Sequence, residues 1–357
     1  MNGVPHSSPQ VSVVMPVRDG LPFLPAAITS LLRQRFDAFE LLVIDDGSQD
    51  GTAAYLETCQ DPRIRVFHQD RPQGVAAALN RGLHHARAPL IARMDADDVA
   101  HPDRLVEQAT YLRQHPGCVI VGCQAEDIDE QGRPLGIRSF PQSDMAIRWQ
   151  LAWGCPLLHP GVVFRRAAVE RVGGYGDEPT TQDYALWTRL AGCGEMVNLA
   201  VPLMQYRVHA GAVTLQKREQ QVAISAAVAS RYAATVASPP ASHFHALFLF
   251  LFDGRDSGRP LGEFAETFAA YRQRFAGDAD PALRQWRAHT QRRLRWHCLE
   301  RIAARRQPIE ALQILRLIGR FDPEAGTLSQ LAFRAGKQVF SSRGPVRWKS
   351  QECTSHG

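Results

Sequence analysis

Two acidic clusters, each closing a short apolar run, constrain this chain most. Glu40-Leu-Leu-Val-Ile44 runs into Asp45-Asp46-Gly47-Ser48, and Pro89-Leu-Ile-Ala-Arg-Met94 runs into Asp95-Ala96-Asp97-Asp98. Short apolar runs rich in β-formers and bounded by turn residues read as buried strands. Val11-Ser-Val-Val-Met15, stopped by Pro16, has the same character, as do Ile64 to His68 and Cys118 to Gln124. The segments between them carry helical spacing. Pro25 to Arg35 puts Ala27, Ile28, Leu31 and Leu32 on one face, Val75 to Ala86 is alanine-rich, and Pro102 to His115 has proline near its start. Strands alternating with helices predict an α/β fold, a mostly parallel sheet flanked by helices on both faces. Ligands of such sheets bind outside the carboxyl ends of the strands. Both acidic clusters fall there, a coincidence that periodicity alone does not require.

Further along, Arg133 to Gln142 reads as loop, Gly161 to Phe164 and Asn198 to Arg207 as strands, and Thr181 to Ala191 as a helix opened by Thr180 or Thr181. Beyond 222 the pattern is helical, over Ala223 to Val236, Leu261 to Phe275, Pro281 to Arg306 and Pro308 to Gly319. The expected organisation is a tail over 1–10, an α/β domain over 11–222, a helical region over 223–340 and a flexible tail over 341–357. Charge divides along the same line. Residues 1–222 hold 21 of the 41 Lys/Arg and 25 of the 36 Asp/Glu, so the net +5 is −4 there and +9 in the remainder. A basic C-terminal region suits anionic lipid head groups, nucleic acid or an acidic partner, and equally a solvated helical surface. Arg292, Arg293, Arg295, Arg301, Arg305 and Arg306 alternate with Leu294, Trp296, Leu299 and Ile302. That fits an interfacial helix at a membrane, or a packed helix with arginines outward.

No apolar run reaches the ~18–20 residues that span a bilayer. The best, Phe244 to Phe252, has nine. Met1 to Gln10 lacks the charged-then-apolar layout of a signal peptide, so a cytoplasmic location is expected. Seven cysteines without a Cys-x-x-Cys pair are then expected to be reduced thiols, neither disulfides nor zinc ligands.

The aspartates carry the chemistry. An Asp-x-Asp pair at a strand end suits Mg²⁺ or Mn²⁺, which want oxygen ligands and keep room for phosphate oxygens; a solvated acidic turn is the plain alternative. Asp45 and Asp46 suit a base imide or a ribose hydroxyl, or an Asx-turn capping the next helix. Asp183, near the start of Tyr184-Ala-Leu-Trp-Thr-Arg-Leu, suits a general base or a charge favoured by the helix dipole. His209 suits a metal or a phosphate, or neither.

The order of the pieces decides among these. Val13-Val-Met-Pro-Val-Arg-Asp-Gly20, Val43-Ile-Asp-Asp-Gly-Ser48, Gly74-x-Ala76-x-Ala78-x-Asn80-x-Gly82, Arg93-Met-Asp-Ala-Asp-Asp98, Gln182-Asp-Tyr-x-Leu-Trp187 and Tyr206-Arg-Val-His209 together resemble the bacterial family 2 glycosyltransferases, over roughly residues 10–215. The resemblance implies the GT-A fold, a Rossmann-like sheet. It also implies an inverting transfer from a nucleotide-diphospho-sugar, with a UDP-sugar the expected donor, and dependence on a divalent cation, Mn²⁺ or Mg²⁺. By the same resemblance Pro16, Arg18 and Asp19 frame the nucleotide pocket, and Gly74 and Asn80 belong to it. Asp46, with Asp45 beside it, meets base and ribose; Asp95 meets the ribose. Asp97 holds the metal, Asp183 is the catalytic base, and Arg207 and His209 stand near the diphosphate, His209 as a candidate metal ligand.

Two positions depart from the family pattern. Pro72 stands where many members have Asn, which removes one nucleotide contact, and Gln182 replaces the usual Glu, which removes one charge from the acceptor side. One base and one displacement give inversion, and the sequence offers no second carboxylate for a retaining route. Expected acceptors are saccharides or lipid-linked carriers in surface polysaccharide or glycoconjugate synthesis, with peripheral membrane contact through the basic C-terminal helices and no nucleic acid. Trp149, Trp153 and Trp187 fall on the acceptor side, as sugar platforms or as packing. His159-Pro160 is expected to shape a turn there. Two other classes compete. A nucleotidyltransferase would want a Gly-rich basic loop after the first strand, which Pro16-Val-Arg-Asp-Gly20 does not provide. A non-catalytic sugar- or nucleotide-binding module would need neither metal nor base.

Overall fold

In the computed structural model, residues 8–209, 218–237, 240–253, 261–276 and 279–292 are described. Most of the arginine cluster after 292, the expected helix over 308–319 and the C-terminal tail lie outside the described residues. By contacts the chain forms two units. The first holds described residues 8–147 and 155–209, the second 148–154 and 218–292.

The first unit is built on a nine-stranded sheet. Its first half comprises β1 (Val11–Val17), β2 (Phe39–Asp45), β3 (Ile64–His68) and β4 (Leu90–Arg93), in the order β3-β2-β1-β4 and all parallel. The second half brings in β5 (Val99–Ala100), β6 (Cys118–Ile128), β7 (Pro134–Arg138), β8 (Val163–Arg165) and β9 (Glu195–Arg207). Here β8 runs antiparallel to both β4 and β6, while β6 and β9 are parallel. The sheet is thus mixed, with its parallel ladders concentrated where strands and helices alternate in the sequence. α1 (Leu24–Leu32), α2 (Thr52–Glu57), α3 (Val75–His85) and α4 (Arg104–Gln114) connect the strands of this half and lead into β6. Val13, Met15, Leu41, Val43, Ile28, Leu31, Leu105 and Leu112 share one core cluster with the β6 residues Val121 and Cys123. On the other face α3 sits so close to β1 that a Cβ at Gly82 would lie 2.3 Å from Val14 Cγ1, which only glycine allows.

β1 does not stop at Pro16 as expected. Its ladder with β4 ends at Val14↔Arg93, while the ladder with β2 continues to Val17↔Asp45. A missing N–H at Pro16 therefore breaks no bond to β4. Parting company with β1 there, the chain after β4 turns away and forms the acidic loop 95–98, which β5 then anchors to β9 through Val99↔Gln205.

The remaining elements of this unit are α5 (Asp144–Gln150), whose last residues count with the second unit, a 3-10 turn at His159–Gly161, α6 (Arg166–Arg171) and α7 (Gln182–Leu190). The loop expected over Arg133 to Gln142 contains strand β7. Its residues Pro134 to Ile137 are exposed, so it lacks the buried-face alternation that marks a strand in sequence.

The second unit comprises α8 (Arg218–Val236), α9 (Ala241–Asp253), α10 (Leu261–Arg274) and helical residues 281–292. Its core is aromatic. Trp149 and Trp153, from the 148–154 excursion, pack with Phe244, Phe268, Tyr271 and Phe275 at ring distances of 4.9–6.0 Å. Trp149 Nε1 donates to Thr290 Oγ1, and the hydroxyls of Tyr232 and Tyr271 both donate to the Arg148 carbonyl. Trp149 and Trp153 are core residues here, so the packing alternative describes both. Among the described residues no helix is long and apolar enough to cross a membrane.

Candidate functional site

The carboxyl ends of β1, β2, β3 and β4 line up as the sequence implies, but several of the expected side chains hold loops together. After β1, Asp19 sits at φ 49°, accepts from the Gln49 N–H through Oδ1, and donates its own N–H to Ser48 Oγ. It clamps the β1 loop to the β2 loop. Arg18 beside it is exposed, 3.7 Å from Asp19 Oδ2, and Pro16 is half-buried within β1.

Asp45 closes the turn after β2 by accepting from the Ser48 N–H. Its other oxygen meets His68 Nδ1 at 2.8 Å, so a buried carboxylate orients an exposed imidazole. Asp45 thus closes a local turn, but it does not cap the next helix, whose N-cap is Gly51 without a side-chain bond. Asp46 accepts from the Gln69 side chain and from the Gln73 and Gly74 N–H groups. It thereby folds the 69–74 segment over the strand ends, with Gly47 and Gly74 at positive φ on either side of the contact. Asn80 bonds the Tyr175 backbone twice, Nδ2 to its carbonyl and Oδ1 from its N–H, both at 2.9 Å. The side chain expected in the nucleotide pocket ties α3 to the loop before α7 instead.

The loop 95–98 is the acidic centre. Ligand oxygens of Asp95, Asp97 and Asp98 lie within 4.8 Å of one another. Asp95 pairs with the buried Arg93 guanidinium. Asp97 Oδ2 meets His209 Nε2 at 3.0 Å. Asp98 is 1% exposed; its Oδ1 accepts from the Arg207 N–H, and its Oδ2 has no hydrogen-bond partner among the described residues. Burial, then the charges of Asp97 and Asp95, push the Asp98 carboxyl well up. Burial likewise raises Asp95, against the pull of Arg93. A buried carboxylate oxygen with nothing to bond and three hard oxygen donors this close fit Mg²⁺ or Mn²⁺.

Arg207 is engaged through its Nε and NH1. Its Nε and NH1 donate to the carbonyls of Asp97, Asp129 and Glu130, and its guanidinium lies 4.7 Å from the Phe23 ring centroid. It fixes the acidic loop and the β6–β7 turn through their backbones.

Asp183 occupies the first turn of α7, half-buried. Burial raises its carboxyl; the Tyr184 N–H and the Arg93 charge work against this, and Asp95 works with it. Cys155 Sγ is 3.8 Å from Asp183 Oδ2. Trp187, one turn on, is fully buried against His159 and Phe164 and is a packing residue.

Arg93 and Arg104 carried no assigned role in the sequence, and His159, expected to shape a turn and found in a 3-10 turn, does more than that. Arg93 lies within a quoted motif without a role. Arg104, 0% exposed, donates to the Arg93 and Val162 carbonyls and pairs with Gln108, which itself donates to Val121 and Gly161. Burial brings its pKa down to about 10. His159 meets the Tyr175 hydroxyl at 3.0 Å, and burial, helped by Arg93, keeps its pKa far below the usual imidazole range. The single signal available for Arg104 was a cation amid the apolar positions of its helix.

The family description of glycosyl transferase family 2 matches residues 12–173. The amylovoran biosynthesis glycosyltransferase AmsE of Erwinia amylovora is 31% identical over 198 residues, 55% of this chain and 73% of that protein. S. aureus TarS 1-349 in complex with UDP-GlcNAc matches with a TM-score of 0.56 at 14% identity, over 92% of each chain. The mannosyltransferase PcManGT from Pyrobaculum calidifontis, in complex with GDP-Man and Mn2+, matches with a TM-score of 0.53 at 19% identity, over 88% of this chain and 86% of that one. At such identities the structural likeness speaks for the fold, which is GT-A.

Proposed function

The chain belongs to glycosyl transferase family 2, and from that premise we propose that it is an inverting, metal-dependent transferase. It moves a hexose or N-acetylhexosamine from a nucleotide-diphospho-sugar, a UDP-sugar, to an acceptor hydroxyl. One observation carries the reading: ligand oxygens of Asp95, Asp97 and Asp98 lie within 4.8 Å of one another just past β4, and one buried Asp98 oxygen has no hydrogen-bond partner among the described residues. A base and a cluster of metal-type ligands at one end of a GT-A sheet suit a displacement in which one group loses a proton while another gains negative charge.

Asp97, with Asp95 and Asp98 beside it and His209 bonded to it, would hold the cation. When bound, Mn²⁺ or Mg²⁺ supplies Lewis acidity for the charge that develops on the departing diphosphate. The rest falls to this chain's own residues. Asp183 takes the proton of the acceptor hydroxyl as that oxygen attacks, an effect typically of ~10²–10⁴-fold. Its place in the first turn of α7 favours the charged form. Asp19, Asp45 and Asp46 set the loops that receive the nucleotide, and Arg207 sets the backbone of the acidic loop. Asn80 and the His159–Tyr175 pair build the wall leading to α7.

AmsE is by name an amylovoran biosynthesis enzyme, and TarS and PcManGT are seen with nucleotide sugars. These support surface polysaccharide or glycoconjugate synthesis, with a saccharide or lipid-linked acceptor, as the setting. Catalysis then resides in the α/β domain over 11–222, and the basic region beyond it serves peripheral contact with the cytoplasmic membrane. Calorimetric titration with UDP, GDP and dTDP, each with and without Mn²⁺, tests the donor reading. Metal-dependent binding of UDP in preference to the others supports it; tight metal-independent binding, or preference for GDP, contradicts it.

A further inference from the structure

Arg93 is the last residue of β4 and 4% exposed. It lines a small, largely apolar cavity together with Val14, Leu79, Leu83, Ile91, Phe164 and Tyr175. A guanidinium in such surroundings needs a counter-charge. Among the described residues one carboxylate is in ion-pair contact with it, Asp95, through Oδ2. Arg93 Nε has no hydrogen-bond partner among them, and NH1 has none beyond its ion-pair contact with Asp95. The backbone is held on both sides as well. The Arg93 N–H donates to the Val162 carbonyl at 3.0 Å, and the Arg93 carbonyl accepts from Arg104 NH2 at 2.6 Å. The Val162 carbonyl takes a second bond from the same Arg104 nitrogen. A buried cation on a locked backbone thus reaches two residues along the chain and engages one oxygen of a carboxylate that is 31% exposed.

We propose that Arg93 is a positioning residue of the transfer reaction, fixing the Asp95 carboxylate through Oδ2 and so leaving Oδ1 to meet the donor. The inference rests on the donor reading given above. It explains why a charge is buried at a strand end where an apolar residue would pack at less cost: Asp95 sits in a loop with two other carboxylates that repel it, and an untethered side chain would turn toward solvent.

The test is a double-mutant cycle read by calorimetry with UDP and Mn²⁺, on the full chain, for the wild type, Arg93→Met, Arg93→Lys, Asp95→Asn and the Arg93→Met/Asp95→Asn pair. Thermal unfolding runs alongside. Arg93→Met should weaken binding by about tenfold in the wild-type background and by less than about twofold in the Asp95→Asn background, because it acts through Asp95. Arg93→Lys should restore affinity to within about threefold, since a cation at that place recovers most of the pairing. Equal weakening in both backgrounds overturns the inference, as does a drop in unfolding temperature with affinity unchanged. Should Arg93→Met not fold, Arg93→Gln, which also removes the charge, carries the same cycle in the two backgrounds. A wild type that binds none of UDP, GDP or dTDP defeats the donor reading itself, whereas nucleotide binding with additive effects defeats the Arg93 role alone.

Discussion

Replacing Asn80 by alanine separates two tasks that its motif leaves joined. The Asn80 amide both donates to and accepts from the Tyr175 backbone, at 2.9 Å each, across 95 residues of chain. Removing it deletes two hydrogen bonds worth about 0.5–1.5 kcal/mol each and leaves two backbone groups beside a buried tyrosine to find water. A loss of about 2–3 kcal/mol is expected, or about 4–12 °C of unfolding temperature for a unit of this size. Asn80→Asp is no remedy. Its carboxylate can accept from the Tyr175 N–H but faces the Tyr175 carbonyl with a second acceptor. Tyr175 in turn holds His159, so the damage should reach the α7 side of the site while the nucleotide side stands. Circular dichroism melts and UDP–Mn²⁺ calorimetry on the same preparations measure both. Asn80→Ala should melt early and bind nucleotide within about twofold of wild type. A variant of unchanged stability that has lost nucleotide affinity would refute the reasoning and return Asn80 to the nucleotide pocket.

Three further outcomes follow from the same geometry. Asp98 has a raised pKa, so its stabilising contribution is full at low pH and is lost as pH rises through its folded pKa; in EDTA, Asp98→Asn should therefore melt above wild type at pH 8 and lose that advantage near pH 4, and a melt below wild type at both would contradict it. Trp153→Ala should destabilise the helical unit by about 3–5 kcal/mol in urea unfolding; unchanged stability with weakened acceptor binding would revive the sugar-platform role. Because burial raises Asp183 and the base works only when ionised, kcat/KM should fall on the acid side with a midpoint above the ~3.9 of free aspartate, and a midpoint at or below that value would contradict the role.

How much of this was legible in the sequence depended on whether the signal was local. β1, β2 and β4 and the helices between them announced themselves, because burial on both faces writes a mostly apolar run and a packed helix writes a 3.6-residue stripe. The acidic loop was found because Asp95, Asp97 and Asp98 are neighbours in sequence. β7 was missed because an exposed edge strand carries no apolar pattern, and Pro134 and Gly136 read as turn residues. The extent of β1 past Pro16 depended on where its neighbour β4 turns away, which no property of β1 records. Asn80 and Arg207 were picked out as important, but their motif could not say that both bond backbone carbonyls far along the chain. Arg93, Arg104 and the His159–Tyr175 pair are tertiary arrangements of single residues. An arginine that fails to appear on a solvated face was the nearest thing to a clue.

The central claim is that Asp183 takes the acceptor's proton at a nucleotide-sugar site it does not itself build. The direct measurement compares Asp183→Asn with wild type in two assays, sugar transfer and UDP–Mn²⁺ binding. Asp183→Asn should reduce transfer by at least about a hundredfold with nucleotide affinity nearly unchanged. Equal loss of both, or transfer that survives the substitution, would contradict it.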